Sequence, residues 1–459
     1  MKKLILTLLG SFTALFGYSQ TPGPTTVKHP DWSRNAVIYE VNVRQFTPEG
    51  TFKAFESHLP RLKELGVDIL WMMPIHPISQ DGRKGGLGSY YAVADYKGTN
   101  PEFGSIDDFR DLVKAAHDLD MKVIIDWVPN HSGRDNAWVK NHPDWYARDE
   151  KGNMFGPYDW TDVYKFDYSN PEMRDAMIDA MQFWLREADI DGFRCDVAGE
   201  VPVDFWNVAR PALESVKSDI FMLAEATEPE LTMHAFDMDY NWPMKDLFSA
   251  IAATSGQYSY ADADGHVRNF PEKHAADIYA QLERESRSYA SDSYRMNMIT
   301  NHDLNSWEGT EFERLGNLRE AFAVLTFMLP GMPLIYTGQE VGLDRALEFF
   351  VKDIEPAWEA NPETVEFYKT LTALRHSRPE LASGTLGAEV EVIPTASPDF
   401  IAFRRGGVLT VVNLGSAEQK IFKKTPKLNG ATELFSGATV FPKTLKPGEF
   451  LVFVEGIKN

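Results

Sequence analysis

Gly192-Phe193-Arg194-Cys195-Asp196, continued by Val197 and Ala198, is an apolar run interrupted by one guanidinium and one carboxylate. Such a run suits a strand buried on both faces. On a strand, residues two apart leave the same face, which sets Arg194 beside Asp196. A guanidinium is always charged and lowers the pKa of a neighbouring carboxyl, so the spacing predicts an ionised Asp196. An ionised carboxylate is what nucleophilic attack requires. Taken alone, Arg-x-Asp is equally an ordinary buried ion pair, and other segments must decide.

Three further segments carry chemistry-bearing side chains: Asp126-Trp127-Val128-Pro129-Asn130-His131, Glu225 after Phe221-Met222-Leu223-Ala224, and Asn301-His302-Asp303. Each falls at the end of a run that reads as a strand. The predicted strands cover residues 36–46, 68–75, 122–128, 192–198, 220–226, 236–242, 296–303 and 333–340. Helical patterns separate them. Residues 52–65 place Phe52, Phe55, Leu59 and Leu62 on one face, and Ser105 with Asp108 forms a capping box opening a helix to Leu119. Pro171 opens another helix to Ala188, and helical periodicity resumes after strand eight through about His376. Strand–helix alternation with polar residues at strand C-termini predicts an α/β fold, a (β/α)8 TIM barrel, whose strand ends converge on one mouth. Four such coincidences at one mouth are hard to ascribe to packing.

The remaining stretches supply the domain plan. Residues 132–166 are rich in Trp, Asp, Gly and Pro without periodicity, and read as a short domain inserted after strand three. The Gly-rich loop 82–88 lacks the Gly-Lys-Ser/Thr ending of a phosphate loop, and reads as a flexible loop. From about residue 381 to 459 short alternating strands, at 400–404, 408–414 and 449–454, predict a C-terminal antiparallel β-sandwich domain. The catalytic barrel would then span 33–380. Residues 1–19 have the basic start and short apolar core of a signal peptide, and 20–32 form a Pro/Thr-rich linker, so export to the periplasm or medium is expected.

Composition narrows the function. A chain of 459 residues with 43% hydrophobic and 25% charged content is that of a soluble globular protein. A net charge of −21 argues against nucleic acid or an anionic membrane surface as partner. Cys195 is the single cysteine, so no disulfide forms within the chain. The 29 Phe, 17 Tyr and 11 Trp include several in loops, where flat rings suit the C–H faces of sugars.

These segments together resemble the α-amylase family of glycoside hydrolases. Its four signature segments match 126–131, 192–196, 222–225 and 301–303, and a fifth match is Tyr91, four residues before Asp95. The resemblance covers about residues 33 to 459. It implies Asp196 as nucleophile, Glu225 as general acid/base and Asp303 as the group that holds sugar hydroxyls and stabilises the transition state. Arg194 would orient Asp196, His131 and His302 would bond the same sugar, Tyr91 would stack on it, and Asp126 would tie the site together. The implied reaction is retaining cleavage of α-1,4-glucosidic bonds in starch-type glucans or malto-oligosaccharides, with the two carboxyls about 5–5.5 Å apart. Trp127 and Trp160 are expected near the groove, and a monomer without membrane insertion is expected.

Two departures from the family stand out. Its calcium ion bridges the third strand and the inserted domain; Asn130 fits one ligand position, but Lys165 stands at another and Glu200 replaces the histidine after the nucleophile segment. No cofactor is therefore expected, Lys165 being placed to bond Asn130 and nearby carbonyls in the ion's stead. The alternative alignment, shifted by two residues, would make Asp162 or Asp167 a ligand. Two other functions share the segments: a transglycosylase or isomerase using the same covalent intermediate, and a non-catalytic glucan-binding relative. The second should have lost a carboxylate, whereas Asp196, Glu225 and Asp303 are all present.

Overall fold

The computed structural model describes residues 23–258 and 269–456; the expected signal peptide lies outside them. Eight parallel strands close into a barrel: β1 (Ile38–Val41), β2 (Ile69–Met72), β3 (Lys122–Trp127), β6 (Gly192–Cys195), β7 (Phe221–Ala224), β8 (Met238–Tyr240), β9 (Tyr294–Asn297) and β10 (Met332–Tyr336). Strands β4 (His131–Gly133) and β5 (Val163–Lys165) form an antiparallel pair within the insertion after β3. The ring runs in chain order around the barrel, with β1 closing on β10.

Alternation along each strand sorts the core into two parts. Ile38, Ile69, Ile124, Phe221, Leu223, Met238, Met296 and Leu334 fill the barrel interior. Their neighbours Val41, Leu70, Val123, Ile125, Phe193, Cys195, Met222 and Ala224 face the surrounding helices. Cys195 is thus a buried free thiol on the helix side. The capping box at Ser105 forms as expected and opens the helix Ile106–Asp118.

The elements differ from expectation where turns intervene. The strand expected over 36–46 ends at Val41, and Val43–Phe46 make a helical turn because Asn42 N–H donates to Thr337 Oγ1 (2.9 Å) instead of continuing the ladder. The helix expected over 52–65 is broken into Phe52–Glu56 and Leu59–Leu65; Pro60, lacking an N–H, opens the second. Strand seven spans Tyr294–Asn297, so His302 and Asp303 stand beyond it, where the helical turn Leu304–Glu308 opens, rather than at its end.

After the helix Pro362–Ser377 the chain builds antiparallel sheets. Strands β11 (Glu391–Val392), β12 (Phe400–Arg405), β13 (Val408–Asn413), β15 (Thr432–Glu433) and β17 (Phe450–Val454) form one sheet, in the order β11-β12-β13-β17-β15. β14 (Gln419–Lys420) and β16 (Thr444–Leu445) pair as a separate ribbon. Arg405 is buried and donates to the carbonyls of Met328, Leu329 and Ala382, tying this sheet to the barrel. Among the described residues no helix is long and apolar enough to cross a membrane.

Candidate active site

One step beyond the apolar filling, the inward-facing positions turn polar. Glu40 follows Ile38, Trp71 follows Ile69, Asp126 follows Ile124 and Tyr240 follows Met238, each two residues further along its strand; Arg194 follows Gly192 in the same way. All five side chains are fully buried. Asp126 and Arg194 are partners in the β3–β6 register, so the strand pairing itself sets carboxylate beside guanidinium.

Arg194 is the hub. Its Nη1 donates to Asp126 Oδ1 (2.8 Å) and to Asp196 Oδ1 (3.1 Å), its Nη2 meets Glu225 Oε2 (2.8 Å), and its Nε donates to Tyr240 Oη (3.1 Å). The guanidinium also lies over the Trp71 ring at 5.0 Å, a cation–π contact strengthened by the absence of water. Asp126 is further bonded by Trp71 Nε1 (3.1 Å) and Tyr91 Oη (3.2 Å), yet burial still pushes its carboxyl up to about 6.

Asp196 departs from the sequence expectation. The single positive charge of Arg194 is shared among three carboxylates, and burial, followed by the charge of Glu225, pushes the Asp196 carboxyl well above the usual range. Arg-x-Asp spacing therefore does not by itself fix the Asp196 charge: burial and the neighbouring carboxylates oppose the pull of Arg194. Glu225 accepts from the N–H of Val197 (2.8 Å) and forms an ion pair with Arg194 through the same Oε2. Val197 stands at φ 38°, ψ 45°, a left-handed conformation that costs a β-branched residue about 1–2 kcal/mol. That strained turn aims the N–H at the carboxylate.

A second network lies across the mouth. His302 Nδ1 meets Glu40 Oε1 at 2.5 Å, and its Nε2 meets Tyr91 Oη at 2.7 Å and Asp303 Oδ1 at 3.4 Å. Although burial alone would favour neutral imidazole, the charges of Asp303 and Glu40 raise its pKa to about 9, making it a cation at neutral pH. Tyr91 stacks on His302, with centroids 5.5 Å apart at 22°. Glu40 was not singled out in the sequence, although an acid within Val37-Ile38-Tyr39-Glu40-Val41 is the kind of signal that finds a buried ion pair.

A cavity of about 450 Å³ opens over this layer. Of the eight residues singled out, Tyr91, His131, Asp196, Glu225, His302 and Asp303 line it, while Asp126 and Arg194 lie beneath as its buried support. Burial and the ammonium of Lys165 push His131 down to about 3, so it is a neutral ring offering one donor and one acceptor. Trp160 lines the cavity, with its ring 5.2 Å from that of His131. Trp127 does not: its ring is buried on the helix side and donates to Met177 Sδ. Trp307, Phe349 and Phe350 complete an aromatic rim that the sequence patterns did not mark.

At the position where the resemblance would put calcium, the charged side chains pair with one another. Lys165 Nζ faces Glu200 Oε2 at 3.4 Å. The Asn130 carbonyl is taken by Phe166 N–H (3.0 Å), so the expected direct bond from Lys165 to Asn130 is replaced by the pair with Glu200. Asp162 pairs with Lys84, and Asp167 accepts from the backbone N–H and hydroxyl of Ser169. Among the described residues no group of three or more His, Cys, Asp or Glu side chains could hold a metal.

Comparison with known proteins agrees with this architecture. A family model described as α-amylase, catalytic domain, matches residues 30–372. The α-amylase MalA of Haloarcula japonica is 27% identical over 89% of this chain; the match spans 59% of MalA, under two thirds of its length. Neopullulanase 2 of Thermoactinomyces vulgaris is 28% identical over 97% of this chain and 82% of its own. Among solved structures, the noncanonic maltogenic α-amylase AmyB from Thermotoga neapolitana is 30% identical with a TM-score of 0.76, covering 92% of this chain and 99% of AmyB. An α-amylase from Lactobacillus plantarum is 28% identical with a TM-score of 0.77, covering 92% and 99% of the two chains.

Proposed function

The chain belongs to the α-amylase family, and on that premise we propose that it hydrolyses α-1,4-glucosidic bonds of starch-type glucans or malto-oligosaccharides with retention of configuration. The observation that carries this is the convergence of Asp196 and Glu225 on one guanidinium at the floor of an aromatic-rimmed cavity, with Asp303 across it. A retaining pair works with its two carboxyls about 5–5.5 Å apart, and one shared guanidinium suits so close a pair.

In the first step the Asp196 carboxylate attacks the anomeric carbon, the glycosidic C–O bond breaks, and Glu225 gives its proton to the leaving oxygen. In the second, Glu225 takes a proton from water, whose oxygen attacks the same carbon and frees Asp196. The first step needs the proton on Glu225 and the charge on Asp196. The cation His302 and the carboxylate Asp303 face the sugar hydroxyls, and Tyr91 offers its ring to the sugar's C–H face. Digestion of starch, maltodextrin, pullulan and sucrose tests the assignment: malto-oligosaccharides should be the preferred substrates, and faster turnover of pullulan or sucrose would overturn it.

The same reading includes export, supported by the signal-like first nineteen residues, and activity without calcium, supported by the Lys165–Glu200 pair. Melting temperature and activity should be indifferent to EDTA. Lys165→Ala should cost under about 1 kcal/mol, the scale of a half-exposed ion pair. A large drop in melting temperature on chelation, restored by calcium, would show that the insertion is held by the ion.

A further inference from the structure

Residues 82–88, glycine-rich and without a role in the sequence motifs, cross the mouth as a strap. They leave the barrel in the loop after β2 and reach the loop after β10, where Leu87 N–H donates to the Phe350 carbonyl (2.7 Å). β2 and β10 flank β1 in the ring, so the strap passes above β1. β7, which ends just before Glu225, is the fourth strand around from β1 in either direction in the closed ring of eight, diametrically opposite.

The strap is pinned along its length. The buried Arg44 donates to the carbonyls of Leu87 (3.4 Å), Gly88 (3.3 Å) and Phe349 (3.1 Å), clamping strap and β10 loop together. Arg83 turns back onto the carbonyls of Ser79 and Ile78, both at 2.9 Å. Lys84 reaches the inserted domain through Asp162 Oδ1 (3.1 Å). Gly85 has φ +61°, and a Cβ there would lie 2.4 Å from the Phe350 Cβ, so only glycine allows so close an approach. Lys84 and Phe350 line the same cavity as Asp196 and Glu225.

The leaving part of a glucan must depart on the side of the general acid. The part that stays bound, running to the chain's non-reducing end, must extend the opposite way. Resting on the α-glucan assignment above, we propose that the strap 82–88 walls off the non-reducing side of the site, so that this enzyme takes free chain ends and releases short products from them. The loop that reads as flexible spacer in the sequence is a determinant of substrate length.

A pair of p-nitrophenyl maltoheptaosides, one free and one carrying a 4,6-O-ethylidene block on its non-reducing glucose, tests this. The blocked substrate should turn over at less than about a hundredth of the free rate, because the added group meets a pinned wall. Excision of residues 83–87 should raise the blocked-to-free ratio at least about tenfold by the same steric argument, and Lys84→Ala, a milder loosening, should raise it in the same direction. A variant-free measurement stands beside these. Reducing-end-labelled maltoheptaose should lose unlabelled short sugars of constant size at the earliest times, leaving one shortened labelled product. Equal rates on the two substrates, or a spread of labelled lengths, would overturn the wall while leaving α-glucan hydrolysis intact. Failure to cleave either substrate would overturn the α-glucan assignment itself, and the wall's role with it.

Discussion

Asp196→Asn should lower turnover of malto-oligosaccharides by about four orders of magnitude or more while leaving the barrel folded. Asn has the same shape, its side-chain oxygen can accept from Arg194 Nη1 as Asp196 Oδ1 does at 3.1 Å, and the backbone N–H still donates to the Trp127 carbonyl (2.8 Å). What it lacks is the charge and the second oxygen needed to form an ester. The pKa shift gives the substitution a second signature. Burial and neighbouring carboxylates raise the Asp196 carboxyl in the folded state above its unfolded value. The folded protein therefore binds this proton more tightly, and stability is lost as pH rises from the unfolded pKa toward the folded one. Asn removes that loss. Its melting temperature should equal or exceed that of the parent, with the difference larger at pH 8 than at pH 5. Scanning calorimetry at the two pH values, beside NMR of the parent's first product, decides the point. The α-anomer should appear first; a β-anomer, or near-parental turnover by the Asn variant, would make Asp196 a structural carboxylate.

Strand–helix alternation made the barrel legible, because inward and outward positions follow from a period of two. It also made Asp126 and Arg194 legible, since both lie inside regular strands. What opposes the charge expected on Asp196 is something sequence spacing cannot carry. The Arg194 charge is divided among groups from three strand ends, and Asp126, far away in sequence, takes two of its contacts. Likewise His302 and Asp303 were placed at a strand end, although the strand stops at Asn297; their positions are set by the loop and by Glu40 on the opposite side of the chain's order.

What sequence showed least was what closes the mouth. Trp307, Phe349 and Phe350 sit in loops without periodicity, and a strap of glycines reads only as freedom until a partner such as Phe350 is seen pressed against it. Lys165, which stands out from the family pattern in the sequence, pairs with a carboxylate in the fold. Its partner, Glu200, belongs to a different segment, and the pairing depends on how the β4–β5 hairpin folds over the turn after β6.

Glu225→Gln should separate the two chemical steps. Gln can still accept through its side-chain oxygen from the Val197 N–H, 2.8 Å from Glu225 Oε2, and keeps the shape that packs against Arg194 Nη2. It cannot give a proton to a leaving oxygen nor take one from water. Cleavage of maltodextrin, whose leaving sugar needs protonation, should fall by about 10²–10⁴-fold. A maltosyl fluoride or p-nitrophenyl maltoside, whose leaving group departs without help, should still load the sugar onto Asp196. The reaction then stalls at the ester, because water is no longer deprotonated as it attacks. Azide, a nucleophile that needs no base, should attack the anomeric carbon, expel the Asp196 carboxylate and give the α-glycosyl azide, restoring turnover of the activated substrate only. Were Glu225 merely a partner that holds Arg194 in place, both substrate classes would lose activity equally and azide would rescue neither; a β-azide would mean that no ester on Asp196 had formed.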